Sequence, residues 1–300
     1  MPYSIELPLT DIPRGDVSAH LLRNNIYRWF ELTDRALADQ LHAIPDKPFK
    51  VSTLIRDRDG AAFRVTLLDD GLYAPLSHGL TCEAERAAQA GFPAQPFLRL
   101  HDRTYGVCVD HIHVLGDTYA ALAQQTDIGT QVFLEFLTPT AFEVDQRALL
   151  LPNPRNIFES YFNRWNQFAP AEICIPADWL TWAASTIVVS RLRIESHSMT
   201  FEEHVQLGFV GRVGFELKPS PKAEPLPVKE FQCNAQIFNM LAHFAFFCGT
   251  GRKTTQGMGQ TTRLINWDNI SPKTAAVPIR AEHGELAMPL WFSAPLTDKV

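Results

Sequence analysis

A histidine with two lysines close behind it, His42 followed by Lys47 and Lys50, is a set of side chains suited to phosphodiester chemistry. Imidazole has a reference pKa of roughly 6.5, so it can take or give a proton near neutral pH. Ammonium or guanidinium groups beside it can hold a phosphate and stabilise charge building on its oxygens. Tyr27 precedes this run, flanked by Arg23 and Arg28. Arg23 and Tyr27 are one helical turn apart and therefore share a helix face. On spacing alone His42 also reads as a residue at a helix end, Tyr27 as a half-buried aromatic and the two arginines as a solvated face.

The second chemical feature is Gly249-Thr-Gly-Arg-Lys-Thr-Thr-Gln-Gly-Met-Gly-Gln260, which follows an apolar run from Phe231 to Cys248. Glycines at 249, 251, 257 and 259 let the backbone turn sharply and present N–H groups to an anion. Arg252 and Lys253 sit at the centre, with Gln256 just beyond, and no Asp or Glu occurs between Glu230 and Asp268. Such a loop suits phosphate, and a flexible surface hairpin is the alternative. It is not a nucleotide P-loop, because Lys253 follows Arg252 rather than glycine and the loop follows a helix. Thr254 and Thr262 stand where a dinucleotide fingerprint needs its third glycine. A polyanion backbone laid across the loop fits better than a mononucleotide.

Other candidates carry less. His111 and His113 would lie on one face of a strand, as a metal pair would, but no third ligand is suggested and no metal or other cofactor is expected. Five scattered cysteines without a Cys-x-x-Cys pair read as buried free thiols in a reducing cytoplasm. The N-terminus lacks a leader pattern, and no apolar run approaches the roughly 20 residues that span a bilayer. A soluble cytoplasmic protein without membrane contact is expected. A net charge of −6 excludes a generally basic nucleic-acid binder and confines any such attraction to local basic surface.

These residues must be positioned by a mixed set of elements. Alternation from Tyr3 to Leu9 predicts a strand, and Asp16 is a candidate N-cap for a helix carrying Val17, Leu21, Ile26, Trp29 and Phe30. A shorter helix from Asp34 to His42 follows, then strands at Phe49–Ile55 and Ala61–Leu68, a helix from Leu72 to Ala90, and strands at Phe97–Leu100 and about Val107–Val114. The order restarts near Gln131: a strand Val132–Leu137 bounded by Thr-Pro-Thr, a helix opened by Pro154, strands at Ile187–Ile194 and Val205–Leu217, the long helix, and a closing strand Thr262–Ile265. Pro219 to Pro227 reads as a loop and Ala275 to Val300 as peripheral. Two rounds of strand, helix, strand, strand, helix, strand imply an α+β chain of tandem ferredoxin-like (RRM-like) domains, divided as residues 1–129 and 130–300.

With these pieces in order, the chain resembles the CRISPR-associated endoribonucleases that process repeat-containing precursor RNA, the Cas6-like family. The resemblance rests on the glycine-rich loop, on Val132-Phe-Leu-Glu-Phe-Leu-Thr-Pro-Thr140, on Pro154 through Asn166, on Gly208-Phe-Val-Gly-Arg-Val-Gly214, and on Leu41-His42 followed by Lys-Pro-Phe-Lys-Val-Ser52. It spans most of the chain. It implies RNA held against a basic face between two domains and cut without metal: the 2′-hydroxyl attacks its own phosphate, leaving a 2′,3′-cyclic phosphate and a 5′-hydroxyl. His42 then matches the general acid/base position, Tyr27 an assisting tyrosine, and Lys50 or Lys47 the assisting lysine. Arg23 and Arg28 are alternatives for that assistance. Arg23, Arg28, Lys47 and the loop residues Gly249, Gly251, Arg252, Lys253, Gln256, Gly257 and Gly259 would hold the RNA. The implied partners are CRISPR repeat RNA and a CRISPR effector complex, with the protein a monomer or homodimer. A non-cleaving RNA-binding subunit of such a complex is the competing reading, and a nucleotide-binding enzyme a third.

Overall fold

In the first strand, β1 (Tyr3–Leu9), the side chains of Ile5, Leu7 and Leu9 are buried while Glu6 and Pro8 on the opposite face are only partly covered. That alternation fixes which face of the first sheet receives helices. The computed structural model describes residues 1–10, 12, 19–56, 60–125, 127–144, 147–201, 204–221 and 224–268. The proposed Asp16 cap and the stretch from Ala275 to Val300 lie outside the described residues.

Helix α1 (Ala19–Thr33) is followed by α2 (Arg35–Ala43), β2 (Phe49–Val51), a two-residue β3 (Ile55–Arg56), β4 (Ala61–Leu67), α3 (Tyr73–Gln89), the hairpin β5 (Phe97–Leu100) and β6 (Arg103–Gly106), and β7 (His113–Gly116). The sheet order is β2-β4-β1-β7, all antiparallel. α1 buries Leu22, Ile26, Trp29 and Phe30 against this sheet. Its crossing with α3 is close because Gly79 has no side chain: a Cβ there would lie 2.0 Å from the Trp29 carbonyl oxygen.

The second half runs α4 (Tyr119–Ala123), β8 (Gln131–Thr140), the hairpin β9 (Phe142–Val144) and β10 (Arg147–Leu149), α5 (Pro154–Phe168), α6 (Asp178–Thr186), β11 (Ile187–Thr200), β12 (Val205–Leu217), α7 (Val228–Cys248) and β13 (Thr261–Leu264). Its sheet order is β11-β12-β8-β13, again antiparallel and again second, third, first, fourth. Both sheets therefore have the ferredoxin-like order, and the tandem fold read from element order is what the chain adopts. The second core is aromatic, with Phe158, Tyr161 and Trp165 of α5 and Phe238 and Phe244 of α7 packed on Val132, Leu134, Phe136, Val213 and Phe215. Tyr119 and Leu122 of α4 join this core although they precede the second sheet.

Several boundaries differ from expectation. The closing strand of the first sheet is His113–Gly116 rather than Val107–Val114, since Val107 makes only an isolated bridge to Leu9. The strand after Phe49 stops at Val51. β8 continues through Thr138-Pro139-Thr140 instead of ending there, because a register shift opposite Phe209–Gly211 leaves a place for a residue without an N–H. β11 runs on to Thr200; β5 has the expected bounds, but its partner β6, the β9–β10 hairpin, α4 and α6 have no periodic signal long enough to announce them. Of the five free cysteines only Cys248 is buried, while Cys174 and Cys233 are exposed and the other two partly covered.

The glycine-rich segment after α7 belongs to the core of the interface between the halves. Thr250 N–H donates to the Gly259 carbonyl (2.8 Å) and Gly259 N–H to the Pro139 carbonyl (3.1 Å). Gly259 has φ +67°, and a Cβ there would lie 1.9 Å from the Thr250 oxygen. Gly259→Ala is therefore expected to lower unfolding free energy by roughly 2–4 kcal/mol, the sum of a left-handed backbone penalty and a backbone overlap. Gly91→Ala, also at positive φ but in open space, is expected to cost only roughly 1 kcal/mol. Equal denaturant midpoints for the two variants would contradict this account.

Candidate active site and loop geometry

Asp34 caps α2 by accepting a hydrogen bond from the Leu37 N–H (3.1 Å), which sets the helix so that His42 falls in its last turn. The His42 ring is exposed on one side and stacks on Tyr27 on the other, with centroids 3.7 Å apart and planes 18° from parallel. Tyr27 is 4% exposed, wedged from below by the edge of Phe49 at 5.5 Å. Burial raises the Tyr27 phenol pKa, and Arg23 opposes that shift. The phenol ring thus holds the imidazole plane by stacking.

Arg23 sits one turn earlier on α1. Its guanidinium lies 5.9 Å from the Tyr27 ring and contacts His20 Nδ1 at 2.8 Å. Lys47 bends back over the end of α2, donating to the carbonyls of His42 (2.8 Å) and Ile44. Desolvation lowers the Lys47 pKa, and the Arg23 charge lowers it further. Lys253 from the glycine-rich loop is lowered in the same way, by desolvation, then Arg252, then Arg23, with Glu143 opposing. The Arg23 charge thus disfavours the protonated form of both lysines. Among the described residues neither Arg23, Lys47 nor Lys253 has a carboxylate ion pair. Cations in a partly desolvated place with few counterions are chemically suited to receiving an anion.

The loop reaches this place by packing on α1 and β2 through the turn Thr254–Gln256. Gly257 passes so close that a Cβ would lie 2.6 Å from that of Ala19, and Gln260 donates to the Thr53 hydroxyl at 3.2 Å. The expectation of N–H groups offered to an anion does not extend to half of the loop's backbone. The N–H groups of Gly249, Thr250, Arg252, Gln256, Met258 and Gly259 all donate to carbonyls within the protein. The glycines allow close backbone passage, as at Gly251, where a Cβ would lie 2.3 Å from the Ala141 oxygen. Only the tip, Gly251 to Lys253 with Thr255 and Gln256, is partly exposed. Nor is the acid-free stretch left uncompensated: Arg252 pairs with Glu143 (2.7 Å) and Gln206, and Arg263 with Asp127 (2.7 Å).

Two further candidates are engaged elsewhere. Lys50 is 5% exposed, and its ammonium donates to the Phe246 carbonyl at the end of α7. Arg164 of α5 closes the same helix end on the carbonyls of Cys248, Gly249 (3.2 Å) and Gly251 (3.1 Å). Both cations satisfy carbonyls that a helix terminus leaves unpaired. Burial in that role draws the Lys50 pKa down to about 7. Arg28 is taken by Glu83 of α3 (2.6 Å) and the Phe97 carbonyl (2.6 Å), docking the β5–β6 hairpin, because the nearly buried Glu83 needs a cation. Neither Lys50 nor Arg28 is presented beside His42.

His20 and His204 carry no sequence signal singled out above, yet both enter the neighbourhood. His20 could have been found from its i, i+3 spacing to Arg23. His204, in the turn of the β11–β12 hairpin, contacts Lys253 Nζ at 2.8 Å, and Phe201 lies under the same ammonium at 4.7 Å. His111 and His113 do not share a strand face, since His111 ends a 3-10 turn. Among the described residues no group of three or more His, Cys, Asp or Glu side chains could hold a metal ion. No helix among them is long and apolar enough to cross a membrane.

The model of the family described as CRISPR-associated endoribonuclease Cas6 matches residues 134–261, which run from β8 through the glycine-rich loop. Among solved structures, one Cas6 product complex aligns with TM-score 0.72 at 24% identity over 88% of this chain and 99% of that one. A second Cas6 product complex gives 0.67 at 25% identity over 88% and 100%. Thermus thermophilus Cas6 gives 0.63 at 23% identity over 88% and 98%. No curated protein matches. The chain thus has the fold of these Cas6 structures, and the family model matches its second sheet and glycine-rich loop.

The buried Lys50 generates a pH signature. Its pKa is lower in the folded chain than in the unfolded one, so between about pH 7 and 10 the unfolded chain binds the extra proton and this residue's contribution to stability rises with pH. The difference in unfolding free energy between wild type and Lys50→Met is expected to shift in favour of wild type by up to ~1.4 kcal/mol per pH unit between about pH 7 and 8.5. Parallel urea titrations check it, and a pH-independent difference would show that the ammonium is not desolvated.

Proposed function

We propose that this protein is an endoribonuclease that cleaves CRISPR precursor RNA within its repeat to give mature guide RNA, with His42 as its proton-transfer group. The observation that carries the reading is the His42–Tyr27 stack beside Arg23, with the glycine-rich loop packed on the same helix α1. Two Cas6 structures described as product complexes have the same fold, which supports it.

In the proposed reaction the 2′-oxygen bonds to the adjacent phosphorus while the bond to the 5′-oxygen breaks. The 2′-hydroxyl loses its proton and the departing 5′-oxygen gains one, leaving a 2′,3′-cyclic phosphate and a 5′-hydroxyl. His42 serves one of these transfers. Arg23 and Lys47, with Lys253 from across the interface, hold the non-bridging oxygens and offset charge in the transition state. Tyr27 acts as a positioning residue through its ring. Because the nucleophile belongs to the substrate, alignment and electrostatics suffice and no metal is required. In this division of labour residues 1–129 carry the imidazole and residues 130–300 the loop that completes the cation site. Gln256 and the loop tip border the RNA, while Gly249, Gly251, Gly257 and Gly259 contribute by shaping the loop. Lys50 and Arg28 support the scaffold.

The second reading, a non-cleaving RNA-binding subunit of an effector complex, is favoured by one observation: Lys50, one of the two lysines that the resemblance offers as the assisting group, is occupied by the α7 terminus. His42→Ala separates the two. The variant is expected to bind repeat RNA as wild type does and to lose cleavage by roughly 10²–10⁴-fold. RNA carrying a 2′-deoxy sugar at the scissile position is expected to bind and remain intact, and EDTA to leave the rate unchanged. Unaltered cleavage by His42→Ala would remove the imidazole from the mechanism, and no cleavage of any repeat RNA by wild type would leave the binding reading.

Tyr27 is tested separately. Tyr27→Phe keeps the stacking face and is expected to cleave within about threefold of wild type, whereas Tyr27→Leu is expected to lose at least about tenfold, in kcat more than in KM. Equal losses in both variants would assign the role to the hydroxyl instead.

A further inference from the structure

The second sheet has a helix-free face on which arginine and aromatic side chains meet. Phe133 of β8 and Trp267, three residues past β13, stand with ring centroids 5.9 Å apart. The Arg191 guanidinium lies 5.9 Å from the Phe133 ring and 5.8 Å from that of Trp267. The register shift between Val189 and Arg191 brings Arg191 opposite Gly214, whose missing side chain leaves the Phe133 ring seated over the strand: a Cβ there would lie 3.1 Å from that ring. Arg212, next on the same face, donates to the Trp267 carbonyl (3.1 Å) and pairs with Glu135 (3.0 Å), which ties the segment after β13 to the sheet. Arg193 pairs in register with Arg212 and extends the basic row along the exposed edge strand. Among the described residues Arg191 and Arg193 have no carboxylate ion pair.

This face is distinct from the His42 site, which lies at the end of α2 against α1 and the loop tip. Its chemistry is that of single-strand binding. Aromatic rings and a flat guanidinium offer stacking surfaces to bases of any sequence, and unpaired arginines alongside meet the phosphates. A folded acidic protein surface would use the charges but leave the aromatic faces idle, and a nonpolar partner would strand the guanidinium.

We propose that the Phe133–Trp267–Arg191 cluster is a second RNA-binding site that stacks unpaired nucleotides, with Arg193 on their backbone. The inference deepens the reading of the protein as an RNA-processing enzyme and rests on it for its substrate class: strands flanking the cleaved element would be held here.

The test uses the full chain and two probes, an oligouridine of about 12 nucleotides, long enough to cover one such site, and a repeat RNA. Wild type is expected to bind the oligouridine in a salt-dependent manner. Arg191→Ala and Trp267→Ala are each expected to weaken that binding roughly tenfold, while Trp267→Phe retains most of it and Arg191→Lys, which keeps charge but loses the planar group, restores it only in part. Cleavage of saturating repeat RNA is expected to persist in all four. Because Trp267 is tied to Arg212, a loss in Trp267→Ala counts only if Arg191→Ala, on the exposed edge strand, shows it too.

Full restoration by Arg191→Lys would reduce the site to charge and overturn the stacking proposal. So would unchanged oligouridine binding in Arg191→Ala, or loss of binding only when residues 269–300 are deleted. The two readings fail separately: Arg191-dependent oligouridine binding without cleavage of any repeat RNA sinks the enzyme and keeps this site, whereas cleavage without Arg191-dependent binding does the reverse.

Discussion

The end of α7 is the constraint on which the rest of the molecule depends. A 21-residue helix terminates inside the protein, and its last carbonyls cannot turn to water. Lys50 from the first half and Arg164 from α5 reach in to satisfy them, and the hydroxyls of Tyr161, Thr250 and Thr261 form a buried chain with links of 2.6 Å just beyond. Breaking any of these leaves an orphaned polar group, which is costlier than the bond itself is stabilising. The interface between the halves is thereby held by polar requirements as well as by packing.

The site inherits that constraint. The segment leaving the helix must pass between β8 and α1 within backbone contact distance, which only glycine allows at 251, 257 and 259. Having passed, it delivers the partly exposed ammonium of Lys253 toward Arg23. Rigidity in the glycines and charge at the tip are thus two parts of one device. The same segment that packs on α1 and β2 also holds Lys253 where the Arg23 charge is felt.

Much of the fold is legible in the residues alone. Period-two alternation in Tyr3–Leu9 and Val205–Leu217 marks strands with the observed bounds, and Pro154 with its aromatic spacing marks α5. The one-turn spacing of Arg23 and Tyr27 predicts a shared face, and the ring contact bears it out. The glycine-rich loop stands out for its freedom at positive φ, but its purpose does not: an unpaired N–H and one paired to a distant carbonyl look identical in a sequence. Lys50 is opaque for a related reason. Its partner carbonyl lies 196 residues away, so no local pattern distinguishes a catalytic lysine from a buried helix cap. The Phe133–Trp267–Arg191 cluster likewise joins three segments that share no spacing rule.

Near neighbours along the chain set the helix and strand periods, the repeated element order, the glycine positions and the pairing of Arg23 with Tyr27, so these follow from the order of residues. Which cations remain free is settled only once the chain is folded. Whether a lysine or arginine meets solvent, a carboxylate or an orphaned carbonyl depends on what distant segments bring to it. Desolvation makes that choice, because a buried helix end or a buried Glu83 draws the cation that can reach it.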